Sequence, residues 1–320
     1  MLLKIKRNNK NASKIIKQFL KNKLSDFKIF KLDNFIKINT TQKEILSSLI
    51  GEIEALDIIE NIEPELDELC PKTMSIENKK EFMVIAGPCA IENEETYNKI
   101  AKELKALKIK YIRAPIFKPR KSPYSFQGIG LKAKNFLVNV KKNLNLTLVS
   151  EALSPIQIEE ISEVSDIIQI GARNMRNYEL LKEAANVKNE ILLKRAPGAS
   201  LKEWLLSCEY LSKSGKSNII LCERGDYPLF GDNSALNFNI ALKAKYAVKL
   251  PVIIDISHSS QNKKFVSHMA MAAAAMGFDG IMVETHIDPQ KSISDGRHII
   301  SLSELKEILK RIKKIKACLK

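Results

Sequence analysis

From Phe82 onward, short and nearly continuous apolar runs alternate with stretches whose apolar residues recur every three or four positions. The runs are FMVIAGP (82–88), YIRAPIF (111–117), TLVSEAL (147–153), DIIQIGA (166–172), EILLKRA (190–196), NIILCER (218–224), PVIIDISH (251–258) and GIMVETH (280–286). Runs that are apolar on both faces fit parallel strands covered on both sides. Helical stretches follow them, among them EETYNKIAKELKAL, PIQIEEIS, NYELLKEAAN, LKEWLLSCEYLSK and SELKEILKRIKKIKACL. Strand and helix in this alternation predict an α/β fold, a (β/α)8 TIM barrel over residues 82–320. Such barrels carry their chemistry at the C-terminal ends of the strands.

Residues 1–65 follow another rhythm. LLKIKR reads as a strand and ASKIIKQFLKNKL as a helix with Ile15, Ile16, Phe19, Leu20 and Leu24 on its apolar side. FKIFKL and FIKINT alternate apolar and charged residues around Asp33-Asn34, a hairpin pattern. QKEILSSLIGEI is a second helix and DIIENIEP a last strand. This order, βαββαβ, predicts a small α+β ferredoxin-like domain. It holds no His and no paired carboxylates in a glycine turn, so catalysis is not expected there. Dimerisation and effector binding are equally open. Residues 66–81, with Cys70-Pro71, read as a linker.

Composition narrows the function. The net charge of +15 raises the question of nucleic acid. The excess is lysine spread along the whole chain, with no stripe of aromatics among basic residues, so no nucleic-acid partner is expected. Arginine is scarce, and Arg113, Arg120, Arg173, Arg195 and Arg224 all fall at or just beyond predicted strand ends, where bidentate anion recognition is useful. No apolar run approaches the ~20 residues of a membrane span, and MLLKIKR turns charged too soon for a signal peptide. Five cysteines without paired spacing suit a reducing, cytoplasmic setting.

Four strand ends carry the candidate chemistry: AGPC (86–89), ISHS (256–259), VETH (283–286) and the SDG loop (294–296). They offer Cys89, His258, Glu284 and Asp295, a mixed S, N, O set suited to a divalent transition metal. Each has an ordinary reading alone: a buried apolar Cys, a structural His, a turn Asp. Their joint position at one barrel mouth favours a metal site. Asp255, three residues before His258, is either its partner or a strand cap. The loop KPRKSPYSFQGIG (118–130) supplies Lys118, Arg120 and Lys121, GAR (171–173) supplies Arg173, and Lys194, Arg195 and Arg224 end two further strands. Like charges so crowded need counter-anions, and small polyanionic substrates would provide them.

The motifs IAGPCAIE, KPRKSPYSFQGIG, EAL, DIIQIGARN, LLKR, IILCERG, DISHS and SDG, in this order and spacing over about residues 80–315, resemble the DAHP synthase family. The match is to the branch related to 3-deoxy-D-manno-octulosonate 8-phosphate synthases, and residues 1–65 resemble the ferredoxin-like regulatory domain that some members carry. The resemblance implies a metal-dependent, aldol-like condensation of phosphoenolpyruvate with erythrose 4-phosphate, the first step of the shikimate pathway. It implies Cys89, His258, Glu284 and Asp295 as ligands of one divalent ion, for which Mn²⁺, Fe²⁺, Co²⁺ and Zn²⁺ all suit. Arg113, Lys118, Gly171, Ala172, Arg173, Lys194 and Arg224 would surround phosphoenolpyruvate, with Glu151 at its reacting end. Lys118, Pro119, Arg120, Lys121, Ser122 and Asp295 would receive the aldehyde, and Lys118 would donate or relay the proton. A homo-oligomer, dimer or tetramer, is implied, and an aromatic amino acid is the effector if the N-terminal domain senses one.

Several positions depart from the family pattern. Lys121 replaces a hydroxyl residue after Lys-Pro-Arg, ETHID stands for EVHP, KRAPGAS for KRG, and His298 for a common Gln. The nearest rival is the octulosonate synthase, which takes arabinose 5-phosphate; its loop carries Ala-Asn-Arg where this chain has Lys118-Pro119-Arg120. A non-catalytic descendant and a basic RNA-binding barrel rank below it.

Overall fold

The computed structural model describes residues 2–5, 11–32, 35–49, 52–53, 55–56, 59–63, 81–120, 122–216, 218–227, 235–248, 250–260, 262–294 and 298–319. The chain divides into two compact units, Met1–Leu69 and Cys70–Lys320.

In the first unit β1 (Leu2–Ile5), α1 (Ala12–Lys21), β2 (Lys28–Leu32), β3 (Phe35–Asn39), α2 (Lys43–Ser48) and β4 (Ile59–Glu63) follow one another. The four described strands form an antiparallel sheet in the order β2-β3-β1-β4. The core is built from Leu3, Ile16, Leu20, Ile36, Ile38 and Ile53. Helix α1 buries Ala12, Ile16 and Leu20, spaced by four residues, one narrow stripe. Ile15, expected on that stripe, is 39% exposed because it lies about 100° round the helix from Ile16. The turn at Asp33-Asn34 and residues 66–80 of the linker lie outside the described residues.

In the second unit, eight described strands form a closed parallel barrel: β5 (Met83–Gly87), β6 (Tyr111–Arg113), β7 (Thr147–Ala152), β8 (Ile167–Ile170), β9 (Glu190–Lys194), β10 (Ile219–Glu223), β11 (Val252–Asp255) and β12 (Gly280–His286). Closure is made where β12 pairs with β11 on one side and β5 on the other. Met83, Ile85, Val149, Leu192, Ile220, Cys222, Ile253 and Met282 fill the interior. Cys222 and Cys208 are fully buried apolar side chains, as expected for cysteines away from the mouth.

The surrounding helices obey local rules. Glu94–Ala106 starts at Asn93, whose side chain accepts from the Thr96 N–H, and buries Tyr97, Ile100, Ala101 and Leu104. Leu302–Cys318 opens on a capping box between Ser301 and Glu304. No helix among the described residues is long and apolar enough to cross a membrane.

Among the boundaries that differ from the sequence reading, two matter for the site. The seventh barrel strand stops at Asp255, and His258 sits on a short helix, Ile256–Ser260. The carboxylate of Asp255 accepts the N–H groups of Ser257 and His258, which turns the chain out of the strand. Glu284 lies inside the eighth strand rather than at its end, because a further strand, β13 (Ile300–Ser301), pairs with Thr285 and His286 and prolongs it.

Candidate active site

Glu284 is the centre of the barrel mouth and is fully buried. Its Oε1 accepts a hydrogen bond from Arg113 Nη2 at 2.9 Å and lies 3.7 Å from Lys118 Nζ and 3.4 Å from His258 Nε2. Its Oε2 accepts from His298 Nε2 at 2.8 Å. Burial alone would push this carboxyl up; His258 once it is charged, Lys118, Arg113 and the His298 hydrogen bond outweigh it and hold it well below the usual carboxylate range. Lys118 and Arg113 are in turn kept charged: burial opposes their charge, and Glu284 more than restores it.

Asp255, at the end of β11, settles the orientation of His258. Its Oδ2 lies 2.8 Å from His258 Nδ1 and also accepts from Lys194 Nζ. An ionised carboxylate only accepts, so Nδ1 carries the proton and Nε2 the lone pair. Burial lowers the His258 pKa to about 4, so the ring is neutral at neutral pH. A lone pair on Nε2 therefore faces a carboxylate oxygen 3.4 Å away. Two acceptors aimed at one another are the signature of a place for a cation. Cys89 is buried nearby, 2% exposed. Burial pushes its thiol up and Glu284 adds to the rise, while Lys118, a hydrogen bond from Ser294 and Arg113 oppose it. A divalent cation beside the sulfur would convert it to the thiolate that ligates. The donors fit a metal.

His258 and Glu284 come together, while Cys89 lies near enough for Glu284 and Lys118 to act on its thiol but outside the 4.8 Å cluster of ligand atoms. Asp295 and Lys121 lie outside the described residues. His298 joins the group instead: one ligand atom each from His258, Glu284 and His298 lies within 4.8 Å of the others.

The predicted cations separate into two sets. Arg113, Lys118 and Lys194 are held in the mouth on Glu284 and Asp255. Arg195, by contrast, is 1% exposed, paired with Glu223 and, at 2.8 Å, with Asp226, and donates to the carbonyls of Ala196 and Ala199. It is a structural cation that ties the ends of β9 and β10 together. The expectation that substrates must neutralise these cations therefore needs correction, since the protein's own carboxylates do much of it. Arg173 is exposed and donates to the Pro119 carbonyl at 3.1 Å, which joins the GAR turn to the Lys-Pro-Arg loop. Arg224 is half-buried. That loop is closed on itself by Lys118 N–H to Gln127 O at 2.8 Å and Gly130 N–H to Ile116 O at 2.9 Å, with Arg120 Nε on Phe126 O at 3.2 Å. Pro119 is half-buried and Ser122 exposed, its hydroxyl accepting from the Tyr124 N–H.

Glu151 projects from β7 and accepts from Gln169 Nε2 at 2.9 Å. Ala172 is half-buried, and Gly171 before it is where Glu151 comes closest: a Cβ there would sit 2.0 Å from Glu151 Oε1. Gly171→Ala must displace this carboxylate. We expect turnover to fall about 10- to 100-fold by misplacing a group near the chemistry, with the melting temperature nearly unchanged; unaltered kinetics would remove Glu151 from the reacting end.

Two contributors were missed in the sequence. Ser294 bonds Cys89. Glu92, inside IAGPCAIE, accepts from Ser292 Oγ at 3.0 Å and the Ile293 N–H at 2.8 Å, and so ties the last loop of the barrel to the first. Its place three residues after Cys89 is a signal in the sequence; its partner Ser292, 200 residues away, is not.

Comparison with known proteins agrees with this geometry. The family model described as "DAHP synthetase I family" matches residues 58–320. A phospho-2-dehydro-3-deoxyheptonate aldolase of Thermotoga maritima is 38% identical over 235 residues, 73% of this chain and 70% of that one. A 2-dehydro-3-deoxyphosphooctonate aldolase of Fusobacterium nucleatum is 32% identical over 252 residues, 72% of this chain and 89% of that one. The crystal structure of the Thermotoga maritima DAHP synthase superposes with a TM-score of 0.79 at 32% identity, covering 99% of this chain and 97% of that one. The chain belongs to the DAHP synthetase I family of TIM-barrel enzymes. Its activity is that of a 3-deoxy-7-phosphoheptulonate synthase, a carbon–carbon bond-forming transferase of the shikimate pathway.

Proposed function

We propose that the chain condenses phosphoenolpyruvate with erythrose 4-phosphate at the mouth described above, with one divalent ion held by Cys89, His258, Glu284 and Asp295. The observation that carries the metal is the neutral His258 Nε2 aimed at the buried Glu284 carboxylate. When bound, the ion supplies Lewis-acid polarisation of the aldehyde oxygen. Arg113, Lys118, Gly171, Ala172, Arg173, Lys194 and Arg224 bind phosphoenolpyruvate through its phosphate and carboxylate, orienting C3 toward the aldehyde carbon. Lys118, kept protonated by Glu284, gives a proton to the aldehyde oxygen as the new carbon–carbon bond forms. Glu151 faces C2, where water adds before phosphate leaves by C–O cleavage. Pro119, Arg120, Lys121 and Ser122 hold the aldehyde's phosphate.

The domain boundaries that accompany this reading are 1–65, a linker at 66–81, and 82–320. The strand order β2-β3-β1-β4 with two intervening helices supports a ferredoxin-like N-terminal domain that regulates or oligomerises. Aromatic amino-acid inhibition, a dimer or tetramer, and a cytoplasmic location complete the proposal. The Lys118-Pro119-Arg120 element and the higher identity to the heptonate aldolase favour the four-carbon aldehyde over arabinose 5-phosphate.

Phosphoenolpyruvate consumption by the purified chain with Mn²⁺ tests this directly. Loss that requires erythrose 4-phosphate and stops with EDTA is expected. A preference for arabinose 5-phosphate would overturn the aldehyde assignment, and full activity in EDTA would overturn the metal.

A further inference from the structure

His298 stands where the resembling family commonly has Gln, and the geometry makes it more than a substitute. We infer that His298 is itself a ligand of the divalent ion, an inference that rests on the metal reading above. Donor atoms adjacent on one ion, each at ~2.0–2.2 Å from it, lie roughly 3–3.5 Å apart. The His258 Nε2 to Glu284 Oε1 separation of 3.4 Å falls in that range. The His298 Nε2 to Glu284 Oε2 separation, 2.8 Å while a proton bridges them, would have to lengthen by only a few tenths of an ångström when the ion takes the proton's place. The two imidazoles approach opposite oxygens of the same buried carboxylate, and all three ligand atoms fall within 4.8 Å of one another. The rings are tilted by 44° with centroids 5.7 Å apart, so they converge on the carboxylate rather than stack.

A glutamine could make the same hydrogen bond to Glu284 Oε2 but offers only a weak amide donor to a metal. An imidazole offers a lone pair once its proton moves to Nδ1. A second imidazole added to one thiolate, one imidazole and two carboxylates makes a softer set, and tilts selection from Mn²⁺ toward Fe²⁺, Co²⁺ or Zn²⁺. It also occupies one more position on the ion, so fewer remain for the aldehyde oxygen.

The test uses full-length protein stripped with EDTA and given Mn²⁺ alone, with pulsed EPR counting histidine nitrogens coupled to the ion. The chain has four histidines, so ¹⁵N-histidine labelling is tractable. Two coupled nitrogens are expected in the wild type, and one each in His298→Gln and His258→Gln. The Mn²⁺ dissociation constant should rise about 10- to 100-fold or more in His298→Gln. One nitrogen in the wild type, retained in His298→Gln and lost in His258→Gln, would reduce His298 to a hydrogen-bond donor and leave the metal site standing. No bound Mn²⁺ in the wild type would overturn the metal reading as well. The wild-type count alone decides between these results if a variant does not fold.

Discussion

Glu284→Gln should both abolish turnover and lower the melting temperature of EDTA-treated protein by roughly 6–20 °C. The carboxylate is fully buried and faces Arg113, Lys118 and two imidazoles. Removing its charge leaves two buried cations without their principal counter-ion, and breaking one partner of a buried pair costs about 3–5 kcal/mol. Losing a ligand and the orientation of Lys118 together should reduce turnover by more than about a thousandfold. Thermal unfolding and phosphoenolpyruvate consumption measure the two effects separately. A melting temperature close to wild type would mean that the cations are satisfied elsewhere, and the site would have to be redrawn around Asp255.

Cys89→Ala should separate the two effects. The side chain lost is small, and the cavity left costs on the order of 1 kcal/mol, or about 2–4 °C. Turnover should nevertheless fall by at least about a thousandfold, because the thiolate would contribute binding that nothing else at that position supplies. Substantial activity in the variant would sink the proposed ligand set, whatever the state of Glu284. Read as a pair, these variants distinguish a residue that holds the mouth together from one that serves the ion.

The barrel was legible because its strands are buried on both faces. ILLK and VIID show no alternation to confuse with a helix, and the polar residues that follow each run mark the mouth. Cys89, His258 and Glu284 could be grouped from that marking alone. What the chain did not reveal was pairing. Arg195 and Lys194 are neighbours in sequence, yet one is absorbed by Glu223 and Asp226 and the other by Asp255. The strand ends between them, at Lys194, and sequence does not say which carboxylate waits on each. His298 could be seen as a departure but not as a neighbour of Glu284, because only the pairing of β13 with Thr285 and His286 shows that the chain returns there. The end of β11 was misjudged for a related reason: Ile256 continues the apolar run, and only the Asp255 hydrogen bonds to Ser257 and His258 show that the helix has begun.

Closure of the barrel between its first and last strands also sets a timetable. Arg113 emerges from the ribosome 171 residues before Glu284, its nearest carboxylate. At about 5–20 residues per second that interval is roughly 10–30 s. Throughout it, Arg113 has no Glu284 to pair with, and the sheet lacks the strand that seals the cylinder. Until that strand is made, the incomplete sheet should keep two unpaired edges. Ribosome stalling anywhere before Gly280 should leave it exposed to chaperones and to passing polyanions, and release past His286 should end that exposure in a single step.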